Sequence, residues 1–109
     1  MNSYAVVIDV AAERDLDEIA TYIAENDSIE RALLVSANIE RAISQLSAFP
    51  NRGPHPRELL EHGVRNFREI HYKPYRIIYR VVRDKVVVVL IADGRRDMRS
   101  LLARRLLSD

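Results

Sequence analysis

The residues in this chain best suited to chemistry are arginines. Arg76 and Arg80 stand four residues apart on one predicted strand, two steps of its alternation. Arg95 and Arg96 follow an almost wholly apolar run, Val86 to Ala92, within the segment Asp93, Gly94, Arg95, Arg96, Asp97. A guanidinium keeps its proton at any physiological pH and presents a planar fork of donors, so these positions suit phosphate or carboxylate. Sharing a face, Arg76 and Arg80 could reach one anion together, or they could pair with the acidic helices of residues 9 to 30. The nearby groups able to move a proton are His71, by its intrinsic pKa, and Glu69.

Other residue types point to less. Asp93 and Asp97 read as a turn former and a helix cap. Tyr72, Tyr75 and Tyr79 read as half-buried sheet packing rather than a base-stacking platform. His55, His62 and His71 have no metal-ligand spacing, and the three glycines form no phosphate loop, so neither metal nor cofactor is expected. Glu13, Asp17 and Glu18 read as a solvated helix face.

The elements that must position the arginines follow from periodicity. Tyr4 to Val10 is predicted as a strand, and Asp9 leads into a helix whose apolar stripe is Ala12, Leu16, Ile19, Ala20 and Ile23. Asp27, with Glu30 three residues on, is the expected cap of a second helix carrying Ala32, Val35, Ile39, Ala42, Ile43 and Leu46 and ending before Pro50. Two such helices joined by a few residues form an antiparallel hairpin that must lie on something flat. Pro50 to Gly63 is read as a connecting loop. Val64 to Tyr72 is a poorly alternating strand that reads as bulged or as a twisted edge, Tyr75 to Val82 alternates well, and Val86 to Ala92, apolar on both faces, belongs at the sheet's centre. A short helix capped by Asp97 closes the chain, with Met98, Leu101, Leu102 and Leu106 on its apolar side. The expectation is one α+β domain over residues 1–109: an N-terminal strand, an antiparallel helical hairpin packed on an antiparallel sheet with a three-stranded meander, and a short C-terminal helix.

Charge divides the chain. Residues 1–63 hold 5 Lys/Arg against 11 Asp/Glu, or −6, whereas residues 64–109 hold 12 against 5, or +7. The basic half points to an anionic partner, either nucleic acid or an acidic protein segment, with solvated surface charge alone as the other reading. Absence of cysteine excludes disulfides and fits a cytoplasmic setting. No run approaches the ~18 apolar residues of a membrane span, and Met1 to Val10 lacks the basic start of an export signal.

The order strand, helix, helix, three strands, short helix resembles the RelE/ParE toxin superfamily of bacterial toxin-antitoxin systems. The resemblance rests on Tyr75-Arg76-Ile77-Ile78-Tyr79 and on Ile91-Ala92-Asp93-Gly94-Arg95-Arg96-Asp97. Ala12, Asp15, Leu16 and Ile19, and Leu46 with Pro50 and Gly53, support it. Gly94 to Asp97 and Leu102, Arg104, Arg105, Leu106 are most similar to the ParE branch, whose members poison DNA gyrase and are neutralised by a cognate antitoxin. On that resemblance the contacts to target or antitoxin fall to Arg76, Arg80, Arg95, Arg96, Arg99, Leu102 and Arg105. No catalytic residue is then assigned, and the working form is a hetero-oligomer with antitoxin. The RelE branch implies instead a ribosome-dependent messenger ribonuclease. Arg76 and Arg96 match its arginine positions, but Phe67 and Glu69 stand where lysines are expected and Leu102 where a tyrosine is, leaving His71 and Glu69 as the proton carriers. A third reading is a degenerate toxin that only binds its antitoxin.

Overall fold

A computed structural model of the chain describes residues 3–107. The two residues at each end of the expected 1–109 domain lie outside the described residues. In chain order the elements are β1 (Ala5–Ile8), α1 (Val10–Asn26), α2 (Ile29–Ser44), α3 (Arg57–Leu60), β2 (Arg68–Tyr72), β3 (Tyr75–Val82), β4 (Lys85–Asp93) and α4 (Met98–Leu102). A 3-10 turn, Gln45–Ser47, extends α2, and a π turn, Ala103–Leu107, extends α4.

Asp9 starts α1 by accepting the Ala12 amide at 2.9 Å, which satisfies one of the helix's orphan donors. The second helix is capped by Ser28, whose Oγ accepts the Arg31 amide at 3.0 Å, and not by the expected Asp27. Asp27 instead ends α1, its own amide donating to the Ile23 carbonyl at 2.8 Å. With the loop this short, one residue closes the first helix and the next opens the second.

The sheet runs β1-β4-β3-β2, with β2, β3 and β4 forming the antiparallel meander and β1 joining β4 in parallel. The apolar strand therefore lies inside the sheet, as its composition requires. Both faces are covered. The helical hairpin lays Ala12, Ile23, Ala32, Val35, Ile39 and Ile43 on Ile77, Tyr79, Val86, Val88 and Ile91. A second core on the opposite face joins Ile78, Val89, Leu90 and Ala92 to Leu59, Phe67, Met98, Leu101 and Leu102. Burying a side chain of this size contributes roughly 1.5–3 kcal/mol.

The expected bulge lies elsewhere than predicted. β2 and β3 pair in unbroken register, whereas between β3 and β4 Ile78 faces Leu90 and Tyr79 faces Val88, leaving Val89 as the extra residue. As a result Val89 and Leu90 turn to the same core, and the strand's polarity pattern gives no hint of it because every position is apolar. The imperfect alternation of Val64 to Tyr72 has a different cause. The strand itself begins only at Arg68, and Phe67 and Ile70 each face a covered side. The Pro-rich connection also holds α3, which pins Leu59 into the second core.

Candidate functional site

Arg76 does not stand free on its strand. Its side chain crosses the second face of the sheet beneath Gly94, where a Cβ would sit 3.0 Å from the Arg76 Cδ, and it meets two carboxylates. Nη1 and Nη2 donate to Glu58 on α3 at 2.9 and 2.8 Å, and Nε donates to Glu69 on β2 at 2.7 Å. The Arg76 side chain is 14% exposed, and Glu58 and Glu69 are 13% and 10% exposed. This forked hydrogen bond from Arg76 outweighs burial and holds the Glu58 carboxyl down at about 2, while the Glu58 bond pushes the arginine further above its ordinary range. His71 Nε2 lies 3.3 Å from Glu69 Oε1 and is half exposed, so a chain of contacts runs Glu58, Arg76, Glu69, His71.

Three of the four residues expected of a nuclease, Arg76, Glu69 and His71, thus converge. The fourth, Arg96, stands apart on the exposed loop after β4 and lines a groove against α1 on the other side. Glu58 escaped sequence reading because its segment was taken as loop. Pro56 followed by the helix formers Arg57, Glu58, Leu59 and Leu60 is the signal that marks a helical turn there.

A second ion pair finishes the edge of β4. β1 stops at Ile8, opposite Val88, so β4 runs on with no strand beside it on that edge, while β3 stays paired on the other. The Asp15 carboxylate on α1 accepts the Ile91 amide at 3.0 Å, and Arg105 donates to the Val89 carbonyl at 3.2 Å. Arg105 and Asp15 also bind each other through two bonds of 2.9 and 3.0 Å. Side chains thereby replace the missing strand at the bulge, where unpaired backbone groups would otherwise be costly. That role accounts for Asp15 and takes up Arg105, expected to be a contact for a partner.

The remaining expected contacts divide by exposure. Leu102 is wholly buried in the second core, so it supports the surface without forming it. Arg80, on the same strand face as Arg76, is exposed, but the two do not form a clamp because Arg76 is committed to its carboxylates. Arg99 is exposed and binds Glu61 at 2.8 Å. Arg95 is 78% exposed, and Asp93 braces it through Nε at 2.9 Å and Nη2 at 2.6 Å, a bond that pulls the Asp93 carboxyl below its usual range. Asp97 caps α4 as expected, accepting the Ser100 amide at 3.2 Å. Among the described residues no group of three or more His, Asp or Glu is arranged to hold a metal ion. No described helix is long and apolar enough to cross a membrane.

A four-stranded α+β sheet carrying a helical hairpin on one face and a short C-terminal helix on the other defines a small toxin-type domain, and comparison with known proteins agrees. The family of ParE toxins of type II toxin-antitoxin systems matches residues 6–98, and the chain belongs to that family. Toxin ParE3 of Caulobacter vibrioides is 33% identical over 91 residues, spanning 84% of this chain and 87% of that protein. Among solved structures, the chromosomal ParDE toxin-antitoxin system of P. aeruginosa shares the fold at a TM-score of 0.70 and 19% identity, covering 84% of this chain and 96% of that one. The RelBE2 toxin-antitoxin complex of Mycobacterium tuberculosis is similar at a TM-score of 0.58 and 26% identity, covering 85% and 93%. The chain is the toxin component of a type II toxin-antitoxin system.

Proposed function

We propose that this toxin acts by binding DNA gyrase and stalling it on cleaved DNA, without chemistry of its own, and that a cognate antitoxin neutralises it in a hetero-oligomer. The observation that carries this reading is the state of Arg76. Its forked end is taken by Glu58 and its Nε by Glu69, so the arginine that a phosphate-cutting site would use is already neutralised. The exposed cations Arg95, Arg96 and Arg99 follow the end of β4 along the chain, where a partner can reach them. ParE3, a toxin, and the two toxin-antitoxin complexes among the structural relatives support the antitoxin partner. An antitoxin segment with carboxylates for these arginines gives an association that weakens with salt.

One observation favours a second reading. His71, Glu69 and Arg52 line a cavity of about 290 Å³ beside β2, and a His beside a carboxylate is a proton carrier in place of the lysines and tyrosine of RNA-cutting relatives. The test is paired. Toxin is added to gyrase, ATP and relaxed plasmid, scored for supercoiling and linear DNA, and separately to programmed ribosomes scored for cut messenger. Linear DNA with intact messenger is the expected result. Cut messenger with normal supercoiling overturns it in favour of His71, and silence in both assays points to a degenerate toxin that only binds its antitoxin or to a different target.

A further inference from the structure

Three tyrosines and three cations far apart in sequence meet in one cleft at the tip of the helical hairpin. Tyr22 from the end of α1, Arg31 from the start of α2, Tyr72, Lys73 and Tyr75 from the β2–β3 turn, and Arg95 enclose a cavity of about 440 Å³. This is the hairpin side of the sheet, away from the Arg76 cluster. Tyr22 is 68% exposed although it is a large aromatic, while Tyr72 and Tyr75 are partly covered and present the cleft with their remaining surface. The Tyr72 hydroxyl is held by Asn38 Nδ2 at 3.1 Å, which fixes that ring at the cleft's wall. Asp27 is the carboxylate that lines the cleft, set against Arg31, Lys73 and Arg95. Asp93 occupies Nε and Nη2 of Arg95, leaving Nη1 for another acceptor.

From this juxtaposition we infer that the cleft binds single-stranded nucleic acid, a base stacking on Tyr22 and its neighbouring rings while the flanking phosphates pair with Arg31, Lys73 and Arg95. Aromatic faces supply sequence-tolerant stacking, and cations around them track the backbone. An acidic peptide would satisfy the cations but has no use for an exposed ring set among them. The volume accepts a nucleotide unit and is too small for duplex. The cleft shares Arg95 with the surface proposed above for a partner and stands apart from the Arg76 cluster.

The test is fluorescence anisotropy of the full-length toxin with a labelled short oligothymidylate, with tyrosine emission recorded in parallel because the chain has five tyrosines and no tryptophan. Binding is expected to quench tyrosine emission and to weaken with salt at a log–log slope of about −2, for three phosphates. Tyr22→Ala should weaken binding about 5- to 150-fold with an unchanged far-ultraviolet spectrum, while Tyr22→Phe, which keeps the ring, retains it. Arg31→Glu with Lys73→Glu should abolish it, and Arg80→Glu, on the other face, should leave it unaltered. Equal loss in Tyr22→Ala and Arg80→Glu, no binding at low salt, or displacement of the oligonucleotide by a glutamate-rich peptide of equal charge at equal concentration would each overturn the proposal, the last in favour of an acidic-protein site.

Discussion

Arg76 and Arg95 are the same residue type at the ends of adjacent strands, and the molecule uses them in opposite ways. The first is 14% exposed and shared between two carboxylates, while the second is 78% exposed and leans on one. Arg76 ties α3, β2 and β3 together, so its charge is spent on the fold. Arg95 is braced at one edge and keeps donors for a visitor. Charge in a sequence says nothing of this difference, because what decides it is which carboxylates the fold brings within 3 Å.

The sharpest way to break the comparison is Arg76→Ala. It strands Glu58 and Glu69 in a poorly solvated site and should cost about 3–5 kcal/mol, lowering the thermal midpoint by more than about 10 °C. Arg95→Ala should leave the midpoint where it is. If the two variants lose equal stability in urea titrations, the division between structural and available arginine fails. Replacing the whole set, Arg76→Met with Glu58→Met and Glu69→Leu, should recover most of the loss, since an apolar cluster of similar volume has no charge to leave unpaired.

Next in size is the β4 edge. Asp15→Ala removes the acceptor of the Ile91 amide and the partner of Arg105 at once, for an expected loss of about 2–3 kcal/mol. Native-state hydrogen exchange should show the Ile91 amide opening faster in that variant, with amides of β2 little changed. Unchanged exchange at Ile91 would mean that the carboxylate is not what protects this edge.

Gly53→Ala comes third. A Cβ at Gly53 would lie 2.0 Å from the Glu69 carbonyl oxygen, a backbone atom that cannot swing aside, so the loop or β2 must shift. The expected cost is about 1–3 kcal/mol. Because Glu69 carries the Arg76 contact, the variant should also lessen the effect of removing Arg76, and strictly additive losses in the double variant would argue that the two sites are not coupled.

A further effect appears only in acid. The Glu58 carboxyl sits at about 2 in the fold against an ordinary value of 4.5, so its stabilising contribution is present in full above pH 4.5 and is lost as pH falls toward 2. Glu58→Gln should flatten the stability profile across that window. A profile identical to the parent's would show that the Arg76 pairing is not what depresses the group.

Much of this arrangement was legible beforehand. Periodicity places α1, α2 and β3, the unbroken apolar run marks β4 as interior, and Asp97 announces the last helix. Local signals failed where a choice between neighbours depended on a turn two residues long, as with Ser28 over Asp27, and where a uniform strand hid its bulge at Val89. The site was half visible. Arg76, Glu69 and His71 could be named from strand position, but their separation from Arg96, the arrival of Glu58 on α3 and the loss of Leu102 to the core depend on which face each element covers.

By itself the sequence determined what short-range physics can carry: the periods of its helices and strands, the Asp97 cap, the basic C-terminal half and the family. Tertiary structure alone decided which charges are spent and which are offered. Arg76 lies 18 residues from Glu58, Arg105 lies 90 from Asp15, and Tyr22 shares a cleft with Arg95. Pairing between side chains is governed by separation in space and by exposure to water, and neither is a property of position along the chain.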